Sequence, residues 1–132
     1  GVVLMAPHVM VEPVCVASIA RIARTYATSD LKARLSRHHA RVDDAFLGWA
    51  DIWLDPAFLD WSIEAEAARL SVPSLLIQGL DDEYGTLEQI RGIARRLPQA
   101  QLLELTDCGH SPQRDQPQRL LTASAAFIAK HG

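Results

Sequence analysis

An aspartate pair and a histidine stand where they could carry out acid–base chemistry. Asp81 and Asp82 follow the short apolar run 75–78, and His110 follows the segment 101–106, which is predicted as the next strand. If each segment is a buried strand and the residues between them form a helix, both loops lie at the carboxyl ends of neighbouring parallel strands. A carboxylate there can orient an imidazole that takes a proton from a nucleophile. The pattern therefore predicts an acid–histidine pair within hydrogen-bond distance.

The segment between the two loops has the periodicity of a helix. Residues 86–97 place apolar side chains on one face at spacings of three and four, namely Leu87, Ile90, Ile93, Ala94 and Leu97. Thr86 and Gln89 have the form of a capping box. A helix of about 12 residues spans roughly 18 Å, and a six-residue strand spans roughly 20 Å. The chain therefore returns to the same edge of the sheet.

No nucleophile partner for the histidine is evident. The sequence contains no G-x-S-x-G motif. Cys108 is too close to His110 in the chain to be assumed an in-line nucleophile, and a buried structural thiol is the simpler interpretation. His110 could also be a plain surface histidine, and Asp82 a carboxylate at a helix entry. A zinc site built from His38, His39, Cys108 and His110 has no recognised ligand spacing. We expect no metal and no cofactor.

Two motifs resemble the last two catalytic loops of the α/β-hydrolase family. They are Val72-Pro73-x-Leu-Leu-Ile-x-Gly79-x-x-Asp82 and Gly109-His110-Ser111-Pro112. In that family the acid is the third residue after the strand-ending glycine, so the resemblance favours Asp82 over Asp81. The histidine follows a glycine, which corresponds to His110. The family's first strands, its oxyanion loop and its nucleophile elbow have no counterpart in these residues.

The resemblance also implies an organisation in two parts. Residues 1–12 and 71–132 would form the C-terminal part of an α/β-hydrolase parallel sheet, and residues 13–70, helical by their pattern, would be an inserted lid. The first eight residues of the chain resemble the strand that precedes the lid in that family. A last helix, after a proline, is expected to turn four apolar side chains inward: Leu120, Leu121, Phe127 and Ile128.

Three further residues are candidates for substrate binding. Trp49 and Trp53 lie in the helical segment, where they form either the lid's own core or an apolar wall of the substrate pocket. His8 ends the first strand at the same edge as the acid and the histidine. It either lines that pocket or has a structural or solvent-facing role. An apolar lid over a polar triad would favour a small apolar substrate and exclude water from the chemistry.

Composition limits the classes of partner. The chain has 132 residues and a net charge of −3, which gives no electrostatic argument for nucleic acid or an anionic membrane. It contains no apolar segment of 18 residues that would cross a membrane. Two cysteines do not make a disulfide framework. We therefore expect a cytoplasmic protein without nucleic-acid or membrane partners. Because the sequence starts inside an apolar strand, we interpret it as a fragment.

For the complete enzyme, the resemblance implies hydrolysis through a covalent intermediate. His110 would take the proton of the nucleophile and later activate water, Asp82 would orient His110, and the nucleophile would come from outside this chain. Esters, lactones and C–C bonds are all compatible, as are haloalkanes and epoxides with an aspartate nucleophile. The alternative is a non-catalytic remnant that acts as a binding or oligomerisation module. Alone, the chain is expected to be inactive and to pair through its first strand with a copy or with the missing N-terminal half.

Overall fold

The computed structural model describes residues 1–132 and contains one three-stranded parallel sheet. The strands are β1 (Val2–Met5), β2 (Ser74–Gly79) and β3 (Ala100–Leu105), in the order β1-β2-β3. All six residues of β2 are buried. Strands with both faces covered are encoded by continuous apolar runs, which agrees with the apolar run 75–78 that predicts β2.

Seven helices accompany the sheet. They are α1 (Pro13–Thr28), α2 (Leu31–Leu35), α3 (Val42–Leu54), α4 (Glu64–Ala67), α5 (Glu88–Arg96), α6 (Pro112–Asp115) and α7 (Pro117–His131). A 3₁₀ turn at Pro56–Phe58 begins with Asp55, whose carboxylate accepts a hydrogen bond from the Ala57 N–H at 2.8 Å. None of the helices is long and apolar enough to cross a membrane.

The two faces of the sheet carry separate hydrophobic clusters. On one face Leu76 packs with residues of α5, including Ile90 and Ile93. On the other face Leu75 and Ile77 pack with a cluster that includes Leu105, Cys108 and Phe127. Consecutive residues of a strand point to opposite faces, so Leu75, Leu76 and Ile77 alternate between the two clusters. The parallel sheet with helices on both faces confirms the predicted α/β class.

The prediction for the last helix is wrong for two of its four apolar residues. In α7, Phe127 is buried, whereas Leu121 is 63% exposed and Ile128 is 58% exposed. The helix rests on the sheet through Leu120, Ala123 and Phe127. Leu121 and Ile128 each follow a buried-side position by one residue, which rotates them by about 100° around the helix axis and away from the sheet.

The chain divides into two compact units. The sheet unit comprises Gly1–Met10 and Ser62–Gly132, and the helical unit comprises Val11–Trp61. Residues 62–70 are predicted with the helical insert but lie in the sheet unit, and residues 11–12 are predicted with the sheet but lie in the helical unit. Ala67 and Leu70 pack against the cluster beneath α5, and Glu64 on α4 forms an ion pair with Arg96 on α5 at 2.7 Å. Their helical pattern could not show which unit they pack against.

The helical unit has its own small core, formed by Cys15, Ile19, Tyr26, Phe46 and Ala50. The rings of Tyr26 and Phe46 stack with centroids 3.9 Å apart. The Tyr26 hydroxyl donates to Asp43 at 2.6 Å, and Lys32 donates to the other oxygen of that carboxylate at 2.7 Å. Burial together with Asp43 raises the pKa of Tyr26 to about 12, so the phenol keeps its proton and remains a donor.

Thr86 and Gln89, the two residues of the predicted capping box, both form hydrogen bonds, and a bond from the Gln89 side chain back to the Thr86 N–H stays a prediction. The Thr86 hydroxyl does accept a hydrogen bond from the Glu88 N–H at 3.2 Å. Gln89, however, is fully buried, and its Oε1 accepts from the Val9 N–H at 2.8 Å while its Nε2 donates to the Met10 carbonyl at 3.0 Å. The backbone of this segment lies in the core and needs hydrogen-bond partners, and Gln89 supplies them.

Candidate active site

The loop that carries Asp82 (the acid loop, residues 79–85) and the loop that carries His110 (the histidine loop, residues 107–116) are joined through their backbones at the carboxyl edge of the sheet. After β2, the Leu80 N–H donates to the Leu105 carbonyl at 2.8 Å, and the Asp81 N–H donates to the Cys108 carbonyl at 3.0 Å. Gly79 makes this approach possible, because a Cβ at this position would overlap the Cys108 carbonyl. The strand-ending glycine is therefore required by close backbone contact.

Asp82 and His110 lie in direct contact, as the sequence predicts. His110 Nδ1 is 3.0 Å from both carboxylate oxygens of Asp82. The Asp82 side chain is 1% exposed and the His110 side chain is 34% exposed. An ionised carboxylate only accepts hydrogen bonds, so a neutral His110 ring must carry its proton on Nδ1. The other ring nitrogen, Nε2, is then an acceptor, which is the state that a general base requires.

The Asp82 carboxylate is held by donors other than the histidine. Its Oδ1 accepts from the Tyr84 N–H at 2.8 Å and from the Gly85 N–H at 3.2 Å. Its Oδ2 accepts from Nε2 of Gln78 at 3.1 Å. A buried carboxylate with several donors is stabilised in its charged form.

The pKa values of the pair shift in opposite directions. Burial acts to raise the pKa of Asp82, but the hydrogen bonds from His110, Tyr84 and Gln78 outweigh it, and the pKa lies below its ordinary value. The hydrogen bond to Asp82 raises the pKa of His110, and partial burial opposes this rise. The two shifts describe one coupled pair, in which an anionic Asp82 stabilises an imidazolium at His110.

Acidic side chains on both sides hold the backbone of the histidine loop. The Gly109 N–H donates to Asp115 at 3.0 Å, and the His110 N–H donates to Glu83 at 3.2 Å. Asp107 enters the loop with a φ of 51°, a left-handed conformation that aspartate tolerates better than most residues. The backbone on either side of His110 is therefore positioned before any substrate binds.

Two aromatic rings lie beside the histidine. The Tyr84 ring centroid is 5.0 Å from that of His110, and the His8 centroid is 5.6 Å away. His8 comes from the segment after β1, where Ala6 takes a φ of 45°. The structure thus places His8 beside the acid–histidine pair, at the edge that the sequence predicts. A contact of His8 with substrate stays a prediction.

The other candidates lie elsewhere in the chain. Trp49 packs edge-on against Phe46, and Trp53 packs edge-on against Phe58 and Trp61, all within the helical unit. Their role in substrate binding stays a prediction. Cys108 is buried, and burial raises the pKa of its thiol, which disfavours the nucleophilic thiolate. The structure contains no cluster of three or more side chains suited to a metal ion.

Sequence reasoning missed Gln78 and Tyr84. Gln78 carries a visible signal, since it is the one polar side chain between the apolar triplet 75–77 and Gly79. A polar residue in a buried strand needs a hydrogen-bond partner, and the loop that follows is the nearest place to find one. Tyr84 carries no comparable signal, because its contribution to Asp82 comes from its backbone N–H.

Comparisons with known proteins agree with this architecture. A meta-cleavage product hydrolase from Pseudomonas fluorescens matches with a TM-score of 0.69 and 19% identity, over 98% of this chain and 56% of that protein. The chain has the α/β-hydrolase fold. A putative non-heme bromoperoxidase from Mycobacterium tuberculosis matches with a TM-score of 0.65 and 24% identity, over 98% of this chain and 57% of that protein.

A thermophilic esterase from Thermogutta terrifontis also has this fold and matches with a TM-score of 0.60 and 22% identity, over 98% of this chain and 56% of that protein. The chain therefore spans just over half the length of each of these three proteins. Its sequence matches no family model and no curated protein. The similarity is thus one of fold.

Proposed function

We propose that this chain supplies the acid and the histidine of an α/β-fold hydrolase. The observation that carries the proposal is the contact of His110 Nδ1 with both oxygens of the buried Asp82 carboxylate. In a nucleophile–His–Asp triad, the acid holds the imidazole in one tautomer and stabilises the imidazolium that forms. His110 would take the nucleophile's proton through Nε2 and return it to the leaving group.

The nucleophile and the oxyanion donors would come from polypeptide outside these 132 residues. The chain spans only 56–57% of the matched esterase, meta-cleavage product hydrolase and bromoperoxidase. The matched proteins include an esterase and a meta-cleavage product hydrolase, and we propose hydrolysis of an ester, a lactone or a C–C bond of a small apolar substrate. In this proposal the helical unit Val11–Trp61 serves as a lid, with Trp49 and Trp53 on an apolar wall.

The pair can be tested in the chain itself. We expect Asp82→Asn to lower the pKa of His110, measured by NMR titration of the imidazole signals, because the amide cannot stabilise the imidazolium as a carboxylate does. Asp81→Asn is the matched control, since Asp81 lies on the same loop and is exposed. An unchanged His110 pKa in Asp82→Asn would contradict the proposal.

Activity gives the second test. The 132-residue chain should not hydrolyse activated esters above background. In the complete polypeptide, His110→Ala and Asp82→Asn should each lower kcat by roughly 10⁴-fold, while Asp81→Asn retains activity. Turnover by the short chain that disappears in His110→Ala would show that the nucleophile lies within it, with Ser111 and Cys108 the first residues to replace.

A second candidate function rests on the edge of the sheet. β1 has β2 on one side and no strand on the other, and Met5 at its end is 42% exposed. Unpaired N–H and C=O groups on an apolar edge strand are a template for pairing with another strand. We propose that this edge binds the complementary N-terminal part of the fold, or a second copy where that part is absent. The chain would then act as an assembly module.

Sedimentation over a concentration series tests this second function. We expect the apparent mass to rise with concentration, and Met5→Lys to reduce that rise by placing a charge at the β1 edge. Leu102→Lys is the matched control, because Leu102 is similarly exposed but lies on β3, at the opposite edge. A monomer at all concentrations would contradict self-pairing.

A further inference from the structure

Gln78 is a buried amide that contacts the acid of the candidate triad directly. It lies near the end of β2 and is 1% exposed. Its Nε2 donates to Asp82 Oδ2 at 3.1 Å and to the Gly85 carbonyl at 2.9 Å. One side chain therefore joins the strand, the carboxylate and the far end of the acid loop.

The two oxygens of Asp82 are held in different ways. Oδ1 accepts two backbone N–H groups, from Tyr84 and Gly85. Oδ2 has Gln78 as its donor besides the ring of His110. The backbone donors fix one end of the carboxylate, and rotation about its Cβ–Cγ bond is restrained at the other end by Gln78.

The acceptor atom of Gln78 is further evidence that this side chain serves the acid loop and not packing alone. Its Oε1 is buried and accepts no hydrogen bond within the chain. A buried polar atom without a partner destabilises the folded state, so a glutamine is a poor choice if this position serves packing alone. Both donors of the amide are used on the acid loop, and both of their partners are strong acceptors.

We propose that Gln78 is a positioning residue, which holds the Asp82 carboxylate in the orientation that faces His110 Nδ1. This inference rests on the proposed function and extends it by one residue. Gln78 does not touch the reacting atoms. It acts through Asp82. The orientation of Asp82 in turn determines the tautomer and the proton affinity of the His110 ring.

Gln78→Met provides the test, because methionine has a similar length and volume but cannot donate. Without the donor, Oδ2 is free to turn away from the ring. We therefore expect the fraction of neutral His110 with its proton on Nδ1 to fall, and the His110 pKa to fall, both to values between wild type and Asp82→Asn. Imidazole ¹⁵N shifts report both quantities in one titration.

A purely electrostatic role gives the opposite result. A carboxylate that loses a donor but keeps its place becomes a stronger acceptor, so the His110 pKa would rise. A purely structural role would lower the melting temperature and leave the tautomer unchanged. Either outcome would overturn the proposal. Gln89→Met is the matched control: Gln89 is an equally buried glutamine of the same unit, but its side chain binds the backbone of Val9 and Met10. We expect it to leave the His110 tautomer unchanged.

A measurement on the unmodified chain covers the case in which Gln78→Met does not fold. The side-chain amide protons of Gln78 should exchange slowly with solvent, and their shifts should titrate with the same midpoint as His110. Gln78 amide shifts that do not change as His110 titrates would overturn the proposal. If Asp82→Asn leaves His110 unchanged, the proposed function itself fails. If only Gln78→Met has no effect, the pair stands and this inference alone fails.

Discussion

The sheet unit and the helical unit differ in the size of their buried cores. In the sheet unit, residues such as Leu76, Ile77 and Ile90 are fully buried in two clusters, one on each face of the sheet. The helical unit has one small core, which includes Ile19 and Phe46. The acid–histidine pair is thus held at the edge of the unit with the two packed layers. Precise positioning of a chemical pair needs dense packing around it.

The largest loss of stability is expected from a substitution at Gly79, in the sheet unit. We expect Gly79→Ala to destabilise the sheet unit by about 3 kcal/mol or more, because the added Cβ would overlap the Cys108 backbone and force the two loops apart. Denaturant unfolding measures the loss, and the His110 titration should shift with it as the acid and the histidine separate. Near-wild-type stability would show that the loops tolerate a wider spacing.

A smaller effect is expected in the helical core. Phe46→Leu should lower the free energy of unfolding by about 1 kcal/mol, because Phe46 stacks on Tyr26 and such ring pairs contribute about that much beyond area burial. Hydrogen exchange should show the loss in α1 and α3. Phe127→Leu, the same change in the sheet unit, should instead reduce protection in β2 and α7. Equal loss of protection everywhere would mean that the two units unfold as one.

The pH dependence of stability should belong to the sheet unit. The His110 pKa is raised by Asp82, so the stabilisation is fully present below the ordinary histidine pKa of about 6.5 and is lost as the pH rises through the folded value. The Asp82 pKa is lowered, so its contribution is present above the ordinary aspartate value and is lost as the pH falls.

Chemical unfolding at pH 6 and pH 8 measures this dependence. We expect the chain to be less stable at the higher pH, and the difference to shrink in Asp82→Asn. Because His110 is partly exposed, the effect should be modest. A difference of the same size in Asp82→Asn would assign the pH dependence to other groups.

The smallest predicted effect has the opposite sign. Gly48 lies inside α3, and a Cβ there would meet no atom within 4 Å. Gly48→Ala should therefore stabilise the helical unit by about 0.5–1 kcal/mol, since glycine weakens a helix interior by that amount relative to alanine. Thermal unfolding of the pair Gly48→Ala and Gly79→Ala compares one substitution in two environments. A loss of stability in Gly48→Ala would show that this helix face is covered.

Local pattern was sufficient to predict the strands β2 and β3 and the helix between them. The apolar runs, Gly79 and the helical spacing of 86–97 bring the loop after β2 close to the loop after β3. The choice of Asp82 over Asp81 as the partner of His110 came from the resemblance to α/β-hydrolases. The burial of Gln89 was not predicted, because a buried glutamine and a capping glutamine have the same sequence signature. The exposure of Leu121 and Ile128 depends on how α7 lies against only three strands, and residue periodicity alone does not contain that information.

The pairing of β1 with β2 sets an order for folding. Val2 pairs with Ser74 across about 70 residues of chain, and closing a loop of that length costs roughly 4 kcal/mol in chain entropy. β2 and β3 are joined through the short helix α5 and can pair much earlier. The acid and histidine loops both follow strands of this local β2–α5–β3 segment. We therefore expect Asp82 and His110 to meet early in folding, with β1 and His8 added to a site already formed.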